Sequence, residues 1–270
     1  MNTLIQLALA EDIGTGDITT ASCVPADRQA KGTFVAREPL TLAGTEVLKE
    51  IYSRLELHHK DGEKLDPNTA IATVEGSARM LLERERTALN FLQHLSGVAT
   101  QAQKFVSEVA HTNCRVLDTR KTTPGFRQLE KSAAAAGGVT NHRMGLYDAI
   151  LIKNNHITAA GSVSRAIANT RASSSLPIQI EIRTKDELDE ALAYQADHLL
   201  LDNLSPQQAK EWIARINKRA GCEHIKVELS GGITLETVRA YAETGADFVS
   251  VGAITHSAPA VDIGFKLELA

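Results

Sequence analysis

Aromatic side chains are scarce in this chain: 4% of its 270 residues, with a single tryptophan. Proteins that grip single-stranded nucleic acid stack bases on aromatic rings, so that class is not expected. Excess positive charge is also missing. The net charge is -4 and the pI is about 6.1, so any basic patch is local and a nucleic-acid partner is not expected. Cysteine is sparse, with Cys23, Cys114 and Cys222 far apart and no CxxC pair. His58–His59 stands without cysteine or carboxylate company, and no zinc site is expected. Reduced thiols in a cytoplasmic protein fit this usage. No apolar run approaches the ~20 residues of a membrane span. The opening MNTLIQLALAEDIG lacks the basic flank and long apolar core of a signal peptide.

What the chain does have is a repeating rhythm. From about Cys114 onward, short β-rich runs alternate with helical segments. Arg115–Thr119, Val139–Asn141, Ala149–Lys153, Ile178–Ile182, His198–Asp202, Lys226–Ser230 and Phe248–Gly252 read as strands. Most are nearly continuous apolar runs, as parallel strands covered on both faces should be. Thr184 with Glu187 and Ser205 with Gln208 form capping-box patterns, and Pro206 fits the first helical position. Gly245 would end a helix beginning near Thr234. Repeated β-α units imply right-handed crossovers and either an open sheet or a barrel. A seven-stranded, incomplete parallel α/β barrel is the preferred reading.

The first ~110 residues differ. Gly32–Ala36 and Ala70–Val74 read as strands of a mixed layer. Leu81–Val109 reads as a long helix with Phe91, Leu92, Leu95, Val98 and Ala99 on one face, weakened or bent at Gly97. The expected division is an α/β domain over residues 1–112, a barrel over 113–260, and a segment, 261–270, packing back on the first domain.

Chemistry-bearing residues fall at the expected strand ends, where barrels gather their functional groups. Arg120 and Lys121 follow the first strand, His142 and Arg143 the second, and Lys153 ends the third. Glu181 and Asp202 follow on later strands. Taken singly, each cation beyond a strand is usually a solvated or surface-paired group. Five basic groups at three consecutive strand ends are harder to read that way. Arg127 and Lys131, in FRQLEKSAAAA, read either as members of this cationic set or as a solvated helical face, and His156 as structural. Ser230–Gly231–Gly232 and Gly252 with Thr255 and His256 are turns whose backbone amides suit a phosphate. Neither the P-loop nor the dinucleotide glycine fingerprint is present. The residues alone describe a phosphate end, a carboxylate pair and a cationic end, suited to a phosphosugar reacting with an anionic compound.

The chain resembles the quinolinate phosphoribosyltransferases. The likeness rests on EDIGTGDITT (11–20), ERTALNFLQHLSGVAT (85–100), DTRKTTPGFRQLEK (118–131), NHRMGL (141–146), ILIKNNH (150–156), LLLDN (199–203), ELSGGI (228–233) and SVGAITHS (250–257), in this order. The resemblance implies an N-terminal α/β sandwich, a seven-stranded barrel, and a homodimer or an assembly of dimers. It implies a Mg²⁺-dependent reaction of quinolinate with phosphoribosyl pyrophosphate, giving nicotinate mononucleotide, pyrophosphate and carbon dioxide. Arg120, His142, Arg143 and Lys153 would surround the quinolinate carboxylates, with Arg86 lent by the neighbouring subunit. Lys121 and Lys153 would face the phosphoribosyl group. Glu181 and Asp202 would hold ribose hydroxyls or the metal, partly through substrate or water. Ser230, Gly231, Gly232, Gly252 and His256 would frame the 5′-phosphate.

The chain departs from the family pattern at Val139, where a third glycine is usual, at Ser132, usually aromatic, and at Asn154, commonly acidic. The usual alternating acidic strand appears as Gln179, Glu181, Arg183, which share one face. Two acids are lost from the strand expected to meet metal, and a cation is added near the ribose. Three other readings compete: a transferase for another pyridine acid, a Schiff-base aldolase using Lys153, and a phosphosugar-binding relative without activity.

Overall fold

The computed structural model describes residues 2–222 and 224–269; Met1, Glu223 and Ala270 lie outside it. In chain order its strands are β1 (Gln29–Ala36), β2 (Leu40–Thr41), β3 (Leu55–Leu57), β4 (Lys64–Leu65), β5 (Ala70–Ser77), β6 (Arg115–Leu117), β7 (Ile150–Ile152), β8 (Ile178–Ile182), β9 (His198–Asp202), β10 (Lys226–Ser230), β11 (Phe248–Ser250) and β12 (Ile263–Leu269). Two compact units are built from interleaved segments. The first takes Met1–Gln103, Thr122–Gly138 and Ile254–Ala270; the second takes Lys104–Lys121 and Val139–Ala253.

The first unit is organised on an antiparallel sheet in the order β12-β1-β5-β3. β12 pairs with β1 from Ala36↔Ile263 to Ala30↔Leu269. Phe34 is fully buried and meets Phe265 with ring centroids 4.9 Å apart and Tyr52 at 6.0 Å, tilted arrangements that aromatic pairs favour. The helix Ala78–Val109 runs 32 residues without interruption. Its predicted apolar face, Phe91, Leu92, Leu95, Val98 and Ala99, is buried throughout. Ser96 ties it to the chain by bonding both the N–H and the carbonyl of Ala43 at 3.1 Å.

Gly97 does not break this helix. Its role is close approach: a Cβ there would lie 2.1 Å from the carbonyl oxygen of Pro259. The stretch before β12 is thereby laid directly on the helix backbone.

The second unit is a six-stranded, wholly parallel sheet in the order β6-β11-β10-β9-β8-β7. The seventh expected strand, Val139–Asn141, is reduced to one parallel bridge, Leu117↔Thr140. The ladder starts, with Thr140 donating to the Val116 carbonyl at 2.9 Å. It stops because Asn141 and His142 turn to the Asp118 carboxylate instead. With Thr140 counted, the seven positions follow the cyclic order of a barrel opened between Thr140 and β7.

The helices joining these strands start where their caps predict. Thr184 and Glu187 make a reciprocal capping box, as do Ser205 and Gln208, with Pro206 in the first turn. The helix expected from Thr234 is shorter, Val238–Ala242, because Thr234 to Thr237 form a hydrogen-bonded turn. Gly245 adopts φ +93° beyond it. Among the described residues, no helix is long and apolar enough to cross a membrane.

Alanine is the better helix former by about 1 kcal/mol, so Gly97→Ala would stabilise a solvated helix. Here the added methyl meets a backbone carbonyl, and Gly97→Ala should instead destabilise the protein by about 1–3 kcal/mol in chemical denaturation. An unchanged or raised midpoint would refute the close-approach account.

Candidate active site

The second unit's site is assembled from the carboxyl ends of its strands. Asp118, fully buried just after β6, accepts from Asn141 Nδ2 at 2.5 Å and from the His142 N–H at 2.8 Å. This one carboxylate fixes the turn that carries His142 and Arg143. Asp148 holds the far side of the same loop, accepting from the N–H groups of Met144 at 2.6 Å and Gly145 at 3.0 Å. Those backbone donors keep its carboxyl below the usual range. Arg143 Nη1 donates to the Ala149 carbonyl at 3.1 Å.

Burial lowers the pKa of Arg143 from its ordinary value, and the neighbouring Arg120 lowers it further, with Asp148 opposing. An anion bound at Arg143 would offset both effects.

Glu228, a residue that strand-end reasoning passes over, lies at the centre. It is 3% exposed and sits inside β10, two residues before Ser230. Gln179 Nε2 of β8 donates to its Oε2 at 2.6 Å, and His142 Nε2 lies 3.4 Å from the same oxygen. His142 Nδ1 accepts the Arg143 N–H at 2.7 Å, which leaves the ring proton on Nε2, facing Glu228. Burial alone would push the Glu228 carboxyl up, but the bond and charge of His142, with Ser250 and Gln179, hold it below the usual range. The available signal was an isolated acid in the apolar run KVEL, with the same period-two parity as Ser230.

On the neighbouring strands stand Glu181 and Asp202. Glu181 is 4% exposed and accepts from Arg183 Nη2 at 3.0 Å and from the Asn154 N–H at 3.1 Å. Lys153 Nζ is 3.9 Å from its Oε2. Asp202 accepts from Ser230 Oγ and from Asn203 Nδ2, each at 2.6 Å. Arg183 Nη2 also lies 3.9 Å from Asp202 Oδ2. Both expected metal-holding carboxylates therefore face the same guanidinium. As a direct cradle for a divalent cation the pair does not fit, because an arginine occupies the space between them.

Gly231 has φ +100°, and a Cβ on it would fall 2.3 Å from Asn203 Oδ1. Only glycine allows Asn203 to fold against this turn, where its N–H meets the Ser230 carbonyl at 2.9 Å. A Cβ on Gly232 would meet open space, so this side of the turn is accessible. Gly252 follows β11. Lys121, exposed, has its N–H bonded to Thr119 Oγ1 at 3.0 Å. His156 has a capping part: its Nδ1 accepts the Lys153 N–H at 2.8 Å at the start of Asn154–Ala160.

Arg86 and His256 belong to the first unit. Arg86 is exposed on the helix Ala78–Val109. His256 ends the short helix Ala253–His256 and bonds Ser257 Oγ at 2.6 Å. Lys131 is not on a solvated face: it and Glu130 are fully buried in Arg127–Ala136, while Arg127 is half-buried and donates to Thr122 Oγ1. The helical period could place these residues on a face but could not tell which face is covered. His59 also has an acidic neighbour after all, Glu63, at 2.7 Å. Among the described residues no group of three or more histidine, cysteine or acidic side chains is placed to hold a metal.

The family model for the quinolinate phosphoribosyl transferase N-terminal domain matches residues 17–96, and that for the C-terminal domain matches residues 98–266. The chain belongs to the quinolinate phosphoribosyltransferase family. A Bacillus subtilis member, named a probable carboxylating nicotinate-nucleotide pyrophosphorylase, is 41% identical over 96% of this chain and 90% of its own. The Mycobacterium leprae carboxylating nicotinate-nucleotide pyrophosphorylase is also 41% identical, over 97% and 95%. The solved nicotinate-nucleotide pyrophosphorylase of Francisella tularensis superposes with a TM-score of 0.91 at 35% identity, over 99% of this chain and 95% of that one. In this family member the alternating β-α reading and the fold class hold, with the Val139 strand reduced as described.

Glu228 supplies the pH test. Its folded pKa lies below the ordinary value, so its contribution is complete above that value and is lost as pH falls through the folded pKa. Glu228→Gln should cost about 1–3 kcal/mol near pH 7, and the deficit should narrow below about pH 4. Urea titrations of both proteins at the two pH values check this; an equal deficit at both would remove the charge from the account.

Proposed function

We propose that this chain transfers the phosphoribosyl group of phosphoribosyl pyrophosphate to quinolinate, with loss of carbon dioxide, giving nicotinate mononucleotide and pyrophosphate. The observation that carries the reading is the His142–Arg143 turn, fixed by Asp118 at one strand end, with Lys153, Glu181 and Asp202 at others. Quinolinate is a dianion, and guanidinium forks match carboxylates in both charge and geometry. Family membership and near-full-length likeness to carboxylating pyrophosphorylases support the same reaction.

The chemistry follows from charge placement. As pyrophosphate leaves, positive charge develops on the ribose, and Glu181 and Asp202 are the anionic groups suited to stabilise it. The pyridine nitrogen attacks with its own lone pair, so no general base is required. Ribosylation makes that nitrogen cationic, so it stabilises the electron pair left on the adjacent ring carbon when the carboxylate there departs as carbon dioxide, and that carbon then takes up a proton from water. Arg120, His142, Arg143 and Lys153 hold the acid during both steps, and Lys121 and Lys153 attend the phosphoribosyl group. The open side of the Ser230–Gly231–Gly232 turn, with Gly252, receives the 5′-phosphate. The working form is a cytoplasmic homodimer, or an assembly of dimers, in which Arg86 completes the neighbouring subunit's site.

Two measurements test this. Carbon dioxide release from carboxyl-labelled quinolinate should require phosphoribosyl pyrophosphate and match nicotinate mononucleotide formed one to one. Turnover of nicotinate but not quinolinate would favour a transferase for another pyridine acid. Arg143→Ala should reduce quinolinate turnover at least ~100-fold, an oriented charged contact being worth several kcal/mol. Near-normal turnover would exclude Arg143 from the acid's binding site.

A further inference from the structure

We propose that Arg183 is a built-in cation that fills the place a directly bound divalent metal would take between Glu181 and Asp202. Mg²⁺ then enters this site only as its complex with the diphosphate of the substrate. The inference deepens the phosphoribosyl-transfer reading and rests on it for the identity of that substrate.

The geometry is specific. β8 and β9 are adjacent and parallel, with Ile182 opposite Leu201. Arg183 is the first residue after β8, and Asp202 is the last of β9. Arg183 Nη2 bonds Glu181 Oε1 at 3.0 Å and reaches to 3.9 Å from Asp202 Oδ2. The other oxygen of each carboxylate is also engaged: Glu181 Oε2 by the Asn154 N–H, with Lys153 Nζ at 3.9 Å, and Asp202 Oδ1 by Ser230 Oγ. A magnesium ion bound directly would demand short, near-octahedral contacts of about 2.0–2.1 Å to these oxygens. It would have to displace a guanidinium that already satisfies the charge.

Charge makes the exchange sensible. Glu181 and Asp202 alone would confront a polyphosphate with two negative charges. Arg183 and Lys153 balance them in place, so these carboxylates do not repel a polyanion as a bare pair would. Arg183 is also half-exposed, its side chain 45% accessible, so the guanidinium can turn from the carboxylates to an arriving diphosphate.

The test uses Mn²⁺ alone as the probe, titrated into the substrate-free full-length protein and followed by electron paramagnetic resonance of the free ion. Wild type should show no site tighter than about 1 mM, as expected when carboxylates lack substrate phosphates as co-ligands. Adding pyrophosphate should recruit one Mn²⁺ per chain. Arg183→Gln should create a metal site at least ~10-fold tighter in the substrate-free protein, and adding Asp202→Asn to that variant should abolish it. The proposal is overturned if substrate-free wild type binds one Mn²⁺ tightly and loses it on Asp202→Asn, or if folded Arg183→Gln gains nothing. Should Arg183→Gln fail to fold, Arg183→Ala takes its place in the same titration, with the same two outcomes. None of these readouts depends on turnover, so failure of the carbon dioxide assay and failure of this proposal are distinguishable.

Discussion

The contact on which the second unit depends is the one between His142 and Glu228. In a flat sheet, the position of Thr140 would lie three strand spacings from β10, about 14 Å. His142 Nε2 nevertheless reaches to 3.4 Å from Glu228 Oε2, which requires the sheet to curl. Gln179 joins the same oxygen from the other side of β10. A buried carboxylate shared between two walls is costly unless its partners are in place, and here Asp118 places one of them by fixing the His142 backbone. The network that closes the wall is therefore also the one that sets the histidine ring.

Around that centre the site divides its charges. Arg143 feels the charge of Arg120 on one side, while Glu181 and Asp202 lie on the other and are already met by Arg183 and Lys153. Carboxylates and cations are interleaved at the strand ends, so a chain with a net charge of -4 presents its clustered cations at one place rather than over its whole surface.

Much of this was legible in the residues. Parallel strands covered on both faces read as short apolar runs, and the helices between them announce their starts with local caps such as Thr184–Glu187. The cations at the strand ends were visible for the same reason, since a strand's end is a local feature. What escaped were consequences of distant neighbours. Val139–Asn141 looked like a strand, but Asp118 takes its hydrogen bonds. Lys131 looked solvated because a helical period does not reveal what covers each face. Gly97 looked like a defect, and only the carbonyl of Pro259 explains it. Glu228 looked like an interruption in an apolar run until His142 and Gln179 were placed beside it.

The pairing of β12 with β1 has a bearing on how the protein is made. The register Ala30↔Leu269 joins nearly opposite ends of the sequence, so one side of β1 has no sheet partner until the last strand emerges. Synthesis proceeds at about 5–20 residues per second, and on that scale the wait is on the order of ten seconds or more. Long-range pairing of this kind is slow to close, and an open strand edge is a template for association with other chains. The outer edge of β1 is therefore completed late in synthesis whatever chemistry the finished enzyme performs.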